Sequence, residues 1–104
     1  MRVQFHPDFP KDIRRFSADY RIISPALETR FRGEVDSAIE TIQRVPVSAG
    51  HILDTGSRWV PEFRRRNLRA FPFFVLYGIS QDQLIFGALI PTRSDPLTWL
   101  NRFG

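Results

Sequence analysis

The side chains best equipped for chemistry in this sequence are arginines. Lys11 is the only lysine among fifteen cationic residues, and Arg64, Arg65, Arg66 and Arg69 crowd one short stretch. A guanidinium presents forked N–H donors that match carboxylate and phosphate oxygens. Arg93 could likewise steady a phosphate, and Tyr77 could supply a proton. The other candidates for proton transfer are His6 and His51, the two histidines of the chain. Each has a plainer role: His6 as a turn residue after a first strand, His51 as a loop residue. Tyr77 reads equally as a core tyrosine with its hydroxyl at the rim, and Arg93 as a solvated loop arginine paired with Asp95. Strand alternation sets Arg64 and Arg66 on one face and Arg65 and Arg69 on the other. The run then either guards an edge strand with charge or turns one set toward an acidic partner. Trp59 and Trp99 are large aromatics in or beside loops, suited to sealing a core or anchoring an interface.

The absences narrow the chemistry. There is no cysteine, so disulfides and thiolate metal sites are excluded. His6 and His51 lack metal-ligand spacing, and neither a metal nor a cofactor is expected. A net charge of +4 and a pI near 10.6 suit an acidic partner, nucleic acid or peptide. With 42% hydrophobic residues the chain is too apolar for disorder at that charge. Its 104 residues fit one domain. No apolar run suggests a signal peptide or a membrane span, so the expected address is the cytoplasm.

The elements that must position these residues follow from spacing. Val3 to Phe5 reads as a first strand. Asp8 can cap a helix with Pro10 in its first turn, and Phe9, Ile13, Phe16 and Tyr20 form one helical face. Ser24-Pro25 starts a second helix as cap and first residue. Leu27, Phe31, Val35, Ala38, Ile39, Ile42 and Val45 are its apolar stripe, and Pro46 ends it. The short join makes the two an antiparallel hairpin. Val47 to Pro61 reads as a loop with at most one helical turn. Next come a basic strand from Phe63, then Phe73 to Ile79 and Leu84 to Ile90. The last two are joined by a hairpin turn at Ser80-Gln81-Asp82-Gln83. A short helix from Pro96 to Arg102 closes the chain, with Trp99 and Phe103 on one side. The fold class is α+β: an N-terminal strand at a sheet edge, an α-hairpin on an antiparallel β-meander, and a short C-terminal helix.

Two segments carry a family resemblance. Arg66-Asn67-Leu68-Arg69-Ala70-Phe71-Pro72-Phe73-Phe74-Val75-Leu76-Tyr77 resembles a basic strand, an "FPY" and a strand ending in Tyr. Ala88-Leu89-Ile90-Pro91-Thr92-Arg93-Ser94-Asp95-Pro96-Leu97-Thr98-Trp99 resembles a closing strand followed by "HxRRDPxxW". Together with the α-hairpin ending at Pro46, they are similar to the RelE/ParE superfamily of type II toxin–antitoxin toxins over nearly the whole chain. The resemblance implies a toxin held by a cognate antitoxin, acidic and partly disordered, in a hetero-oligomer. That antitoxin's helix would lie beside the α-hairpin, or its strand would extend the sheet edge.

The family divides by activity. One branch cleaves messenger RNA on the ribosome; the other, ParE-like, poisons DNA gyrase. Pro91 stands where many relatives carry His, Ser94 replaces the second Arg of "RRD", and Phe74 fills a slot that often holds Arg. These departures favour the ParE-like branch, with Arg64, Arg66, Arg69, Arg93 and Trp99 as target- or antitoxin-binding residues. A ribonuclease would have to use Arg66, Arg69, Tyr77 and Arg93. A third possibility is an inert relative that only binds its antitoxin.

Overall fold

The computed structural model describes residues 1–53, 60–95, 99 and 102. In chain order they form β1 (Arg2–Phe5), α1 (Asp8–Ile23), α2 (Pro25–Arg44), β2 (His51–Leu53), β3 (Glu62–Asn67), β4 (Phe73–Ser80) and β5 (Gln83–Pro91). One five-stranded sheet has the order β1-β5-β4-β3-β2. The β2–β5 run is an antiparallel meander, and β1 joins β5 in parallel at the far edge.

β4 sits in the middle of the sheet and is buried along nearly its whole length. Its unbroken apolar run reflects two covered faces. Phe73, Val75, Tyr77 and Ile79 join the core under the α-hairpin, with Phe9, Phe16, Phe31, Val35 and Ile42. Phe74 and Leu76 point to the outer face, beside Phe63, Val60, Ala88 and Ile90. Aromatic rings fill the helix side at both ends. Phe5, Phe9 and Phe86 stack at one end, and Phe16, Tyr20, Phe31, Phe71 and Phe73 gather at the other.

The helices follow their predicted faces. Ser24 Oγ accepts from the Leu27 N–H at 3.0 Å with Pro25 at the first position, and α2 ends at Arg44 before Pro46. Three expectations are corrected. Asp8 is not the cap of α1 but its first residue. The cap is Pro7, which has no side chain to accept the Asp8 N–H, and the His6 ring accepts it instead at 3.1 Å. The segment from Val47 to Pro61 is not all loop: His51–Leu53 pairs antiparallel with β3. β3 is therefore an interior strand, not the charged edge. The C-terminal helix expected from Pro96 to Arg102 lies outside the described residues except for Trp99 and Arg102, as does Trp59. Among the described residues no helix is long and apolar enough to cross a membrane.

A β-bulge at Gly87 shapes the rest of β5. Leu76 pairs with Ala88 and Tyr77 with Phe86, which leaves Gly87 over. The extra residue reverses the alternation. Leu84 and Phe86 face the helices, whereas Ala88 and Ile90 face outward and Leu89 faces the helices. β1 pairs only as far as Phe86, so the Leu89 N–H needs another acceptor. Asp12, buried on α1, supplies it at 3.0 Å. Arg102 then clamps the same carboxylate, with Nη1 to Oδ2 at 2.7 Å and Nη2 to Oδ1 at 3.1 Å, and reaches the Gly87 carbonyl at 3.0 Å. Breaking such a buried pair strands its partner's charge. Asp12→Ala is expected to cost about 3 kcal/mol of unfolding free energy in urea, several times an exposed control such as Asp36→Ala.

Candidate functional site

β3 delivers its arginines to two faces. Its register places Arg64 opposite Tyr77 and Arg66 opposite Val75, both on the helix side. There the chain between α2 and β2 passes close by with carbonyls that no strand takes up. Arg64 Nη1 donates to the Gly50 carbonyl at 2.9 Å, and its Nε donates to Glu62. Arg66 donates to the Ala49 carbonyl. The Tyr77 hydroxyl donates to the Pro46 carbonyl at 3.2 Å. Neighbouring strands thus hold the 46–50 turn with three side chains. The fit leaves no room at Gly50, where an added Cβ would lie 2.6 Å from Tyr77 Oη and 2.7 Å from the Arg65 carbonyl oxygen.

This clasp revises the sequence reading. Arg64 is buried and Arg66 half-buried, and both turn inward. Tyr77 is fully buried, so its hydroxyl is not at a rim. Burial pushes its pKa up against the pull of Arg64 and Arg66, while Glu62 adds to the rise. It is a hydrogen-bond donor to its own chain, closed off from a substrate.

The remaining candidates are scattered. Arg65 lies on the outer face with its guanidinium 3.8 Å from the Phe74 ring centroid, bonded to Asn67. Arg69 is not on a strand, because β3 ends at Asn67. Its backbone N–H and that of Ala70 bond to Glu34 Oε1 at 2.8 and 3.0 Å, which turns it toward α2 rather than the outer face. Arg93 is exposed in the turn after β5, and neither an ion pair nor a hydrogen bond joins it to a described residue. Leu68 N–H bonds to the Phe73 carbonyl and Thr92 N–H to the Pro72 carbonyl, so Arg69 and Arg93 flank the start of β4. Trp99 is half-buried against the outer-face cluster, with Arg102 4.6 Å over its ring. His51 is exposed on β2 rather than in a loop. Among the described residues no group of three or more His, Cys, Asp or Glu is placed to hold a metal.

The structure therefore gathers Arg64, Arg66 and Tyr77 for packing, and leaves Arg69 and Arg93 exposed. Sequence reasoning missed Asp12 and Glu34. Both carried a signal: Asp12 lies three after Phe9 and four before Phe16, and Glu34 three after Phe31 and four before Ala38. A carboxylate at core spacing on a helix asks for a buried donor.

Two outcomes are expected from the clasp. Arg64→Ala and Gly50→Ala should each lower stability by about 1–3 kcal/mol in chemical denaturation, the first by stranding buried acceptors and the second by overpacking. Tyr77 has a raised folded pKa, so its stabilisation is complete below about pH 10, the unfolded value, and is lost as pH rises through the folded one. Melting curves above that pH should fall less steeply for Tyr77→Phe than for the parent.

No family model and no curated protein matches the sequence. Among solved structures, the chain is similar to a chain described as "Chromosomal ParDE TA system from P. aeruginosa". The TM-score is 0.69 at 15% identity, over 88% of this chain and 95% of that one. The strand, α-hairpin and meander seen here are thus the RelE/ParE-like fold that the two sequence segments implied.

Proposed function

We propose that this chain is one RelE/ParE-like toxin domain of a type II toxin–antitoxin system, working in the cytoplasm by binding its target. The target is DNA gyrase, and a cognate antitoxin neutralises the toxin. One observation carries the choice of binding over catalysis: Tyr77 is fully buried with its hydroxyl on the Pro46 carbonyl, and Arg66 is bonded to Ala49. The RNA-cleaving set of Arg66, Arg69, Tyr77 and Arg93 therefore has two members turned inward. Pro91, Ser94 and Phe74 stand where that branch carries ionisable groups. Arg69 and Arg93, exposed at one end of the sheet, are the target-contacting residues of this reading.

The antitoxin is an acidic, partly disordered peptide. Among the described residues no further strand pairs with either sheet edge, β1 with exposed Val3 and Phe5 or β2 with exposed Ile52, and each can accept an added strand. Ile22 and Ile23, at the tip of the α-hairpin, offer exposed apolar surface to an amphipathic helix.

Purified protein in a supercoiling assay is expected to block gyrase or trap cleaved DNA, and an acidic peptide from the adjacent reading frame to relieve the block. Unimpaired supercoiling at high toxin excess, together with codon-phased cuts in messenger RNA from expressing cells, would move the assignment to the ribosome-dependent ribonucleases.

A further inference from the structure

α2 and the β3–β4 connection border two adjoining open depressions. The deeper one, about 40 Å³, reaches in to Ser37, Arg66 and Leu68. The outer one, about 610 Å³, opens between Arg30, Gly33 and Ala70. Glu34, Ser37 and Arg69 line both, so the two form one stepped cleft. It lies on the helix side of the sheet, away from the outer face that carries Arg65 and Trp99.

Its charge is unbalanced. Arg30 and Arg69 stand beside one carboxylate, Glu34, which already accepts the backbone N–H groups of Arg69 and Ala70, while Arg66 on the inner wall is bonded to the Ala49 carbonyl. Arg30 and Arg69 are exposed, and no carboxylate pairs with either guanidinium among the described residues. Elsewhere on the helices, Arg21, Arg32 and Arg44 each have a carboxylate partner, whereas Arg14 and Arg15 of α1 have none among the described residues. Unpartnered arginines on both banks of a cleft, beside a hydroxyl, form an anion-binding arrangement.

Charge selects the anion. The two unpaired guanidinium groups, Arg30 and Arg69, match a phosphomonoester dianion in charge, and their forked donors match its oxygens. The wide outer step leaves room for the group that the phosphate is attached to.

We propose that this cleft binds a terminal phosphomonoester, carried by a free nucleotide or by the end of a nucleic-acid strand. The proposal does not depend on gyrase being the target. Gly33 provides an internal test, because nothing lies within 4 Å of the position its Cβ would occupy. A side chain there enters the cleft without disturbing the core.

Titration calorimetry at one fixed, low salt concentration tests this with adenosine monophosphate against adenosine, and with an oligothymidylate bearing a 5′-phosphate against its 5′-hydroxyl form. Each phosphorylated probe is expected to bind at least tenfold more tightly than its counterpart. The Arg30→Gln/Arg69→Gln double variant and, separately, Gly33→Glu should abolish that difference while melting within a few degrees of the parent. Tighter binding of the mononucleotide identifies a free nucleotide as the ligand, and tighter binding of the phosphorylated strand identifies a strand end. Equal binding of phosphorylated and unphosphorylated probes, or a preference that survives in both variants, overturns the proposal.

Discussion

Everything in this fold answers to one constraint, the burial of β4 on both faces. A strand of Phe, Val, Leu, Tyr and Ile with no wet side needs a layer on each side of the sheet. The α-hairpin supplies one, and Trp99 closes part of the other. The bulge at Gly87 makes the two layers compatible with β5. It lets one strand send Leu84 and Phe86 toward the helices and, after the reversal, Ala88 and Ile90 outward. The same bulge carries the carbonyl that Arg102 reaches, while Asp12 takes the Leu89 N–H just beyond. A helix, the central sheet and the C-terminal segment meet at one carboxylate.

That constraint also decides what the arginines do. On the helix side, buried polar groups must be satisfied, because an unpaired one costs about 1–3 kcal/mol. Arg64, Arg66 and Tyr77 satisfy the carbonyls of Gly50, Ala49 and Pro46, so they act as structure. Arg65 lies over the Phe74 ring at the outer face. What stays available is at the ends of the strands, where Arg69 and Arg93 leave the sheet, and along α2 at Arg30. The surface is basic through residues that the strand pattern alone does not place.

Much of the architecture was legible in the sequence. The four-three-four spacing of Phe9, Ile13, Phe16 and Tyr20 and the Ser24-Pro25 start specify the helices through local physics. The runs around Val75 and Phe86 specify strands for the same reason. β2 was not legible, because exposed His51 and Ile52 carry no apolar pattern and the strand exists only through its pairing with β3. The cap of α1 was misplaced because a histidine ring, two residues before the helix, does the work given to Asp8. The arginine-rich run was legible as chemistry but not as a site. Its destinations are backbone carbonyls at Ala49 and Gly50, whose nearness depends on how α2 ends and not on side-chain type.

The central claim is that the ionisable groups on the helix side of the sheet hold the fold, and the proposed action by binding rests on it. Growth arrest on induced expression of Tyr77→Phe, with its soluble amount matched to the parent, tests this most directly. The substitution removes one hydrogen bond, worth about 1 kcal/mol, and leaves the packing intact. The account predicts that Tyr77→Phe arrests growth as the parent does. A folded, soluble Tyr77→Phe that has lost both toxicity and the parent's messenger RNA cleavage would contradict it.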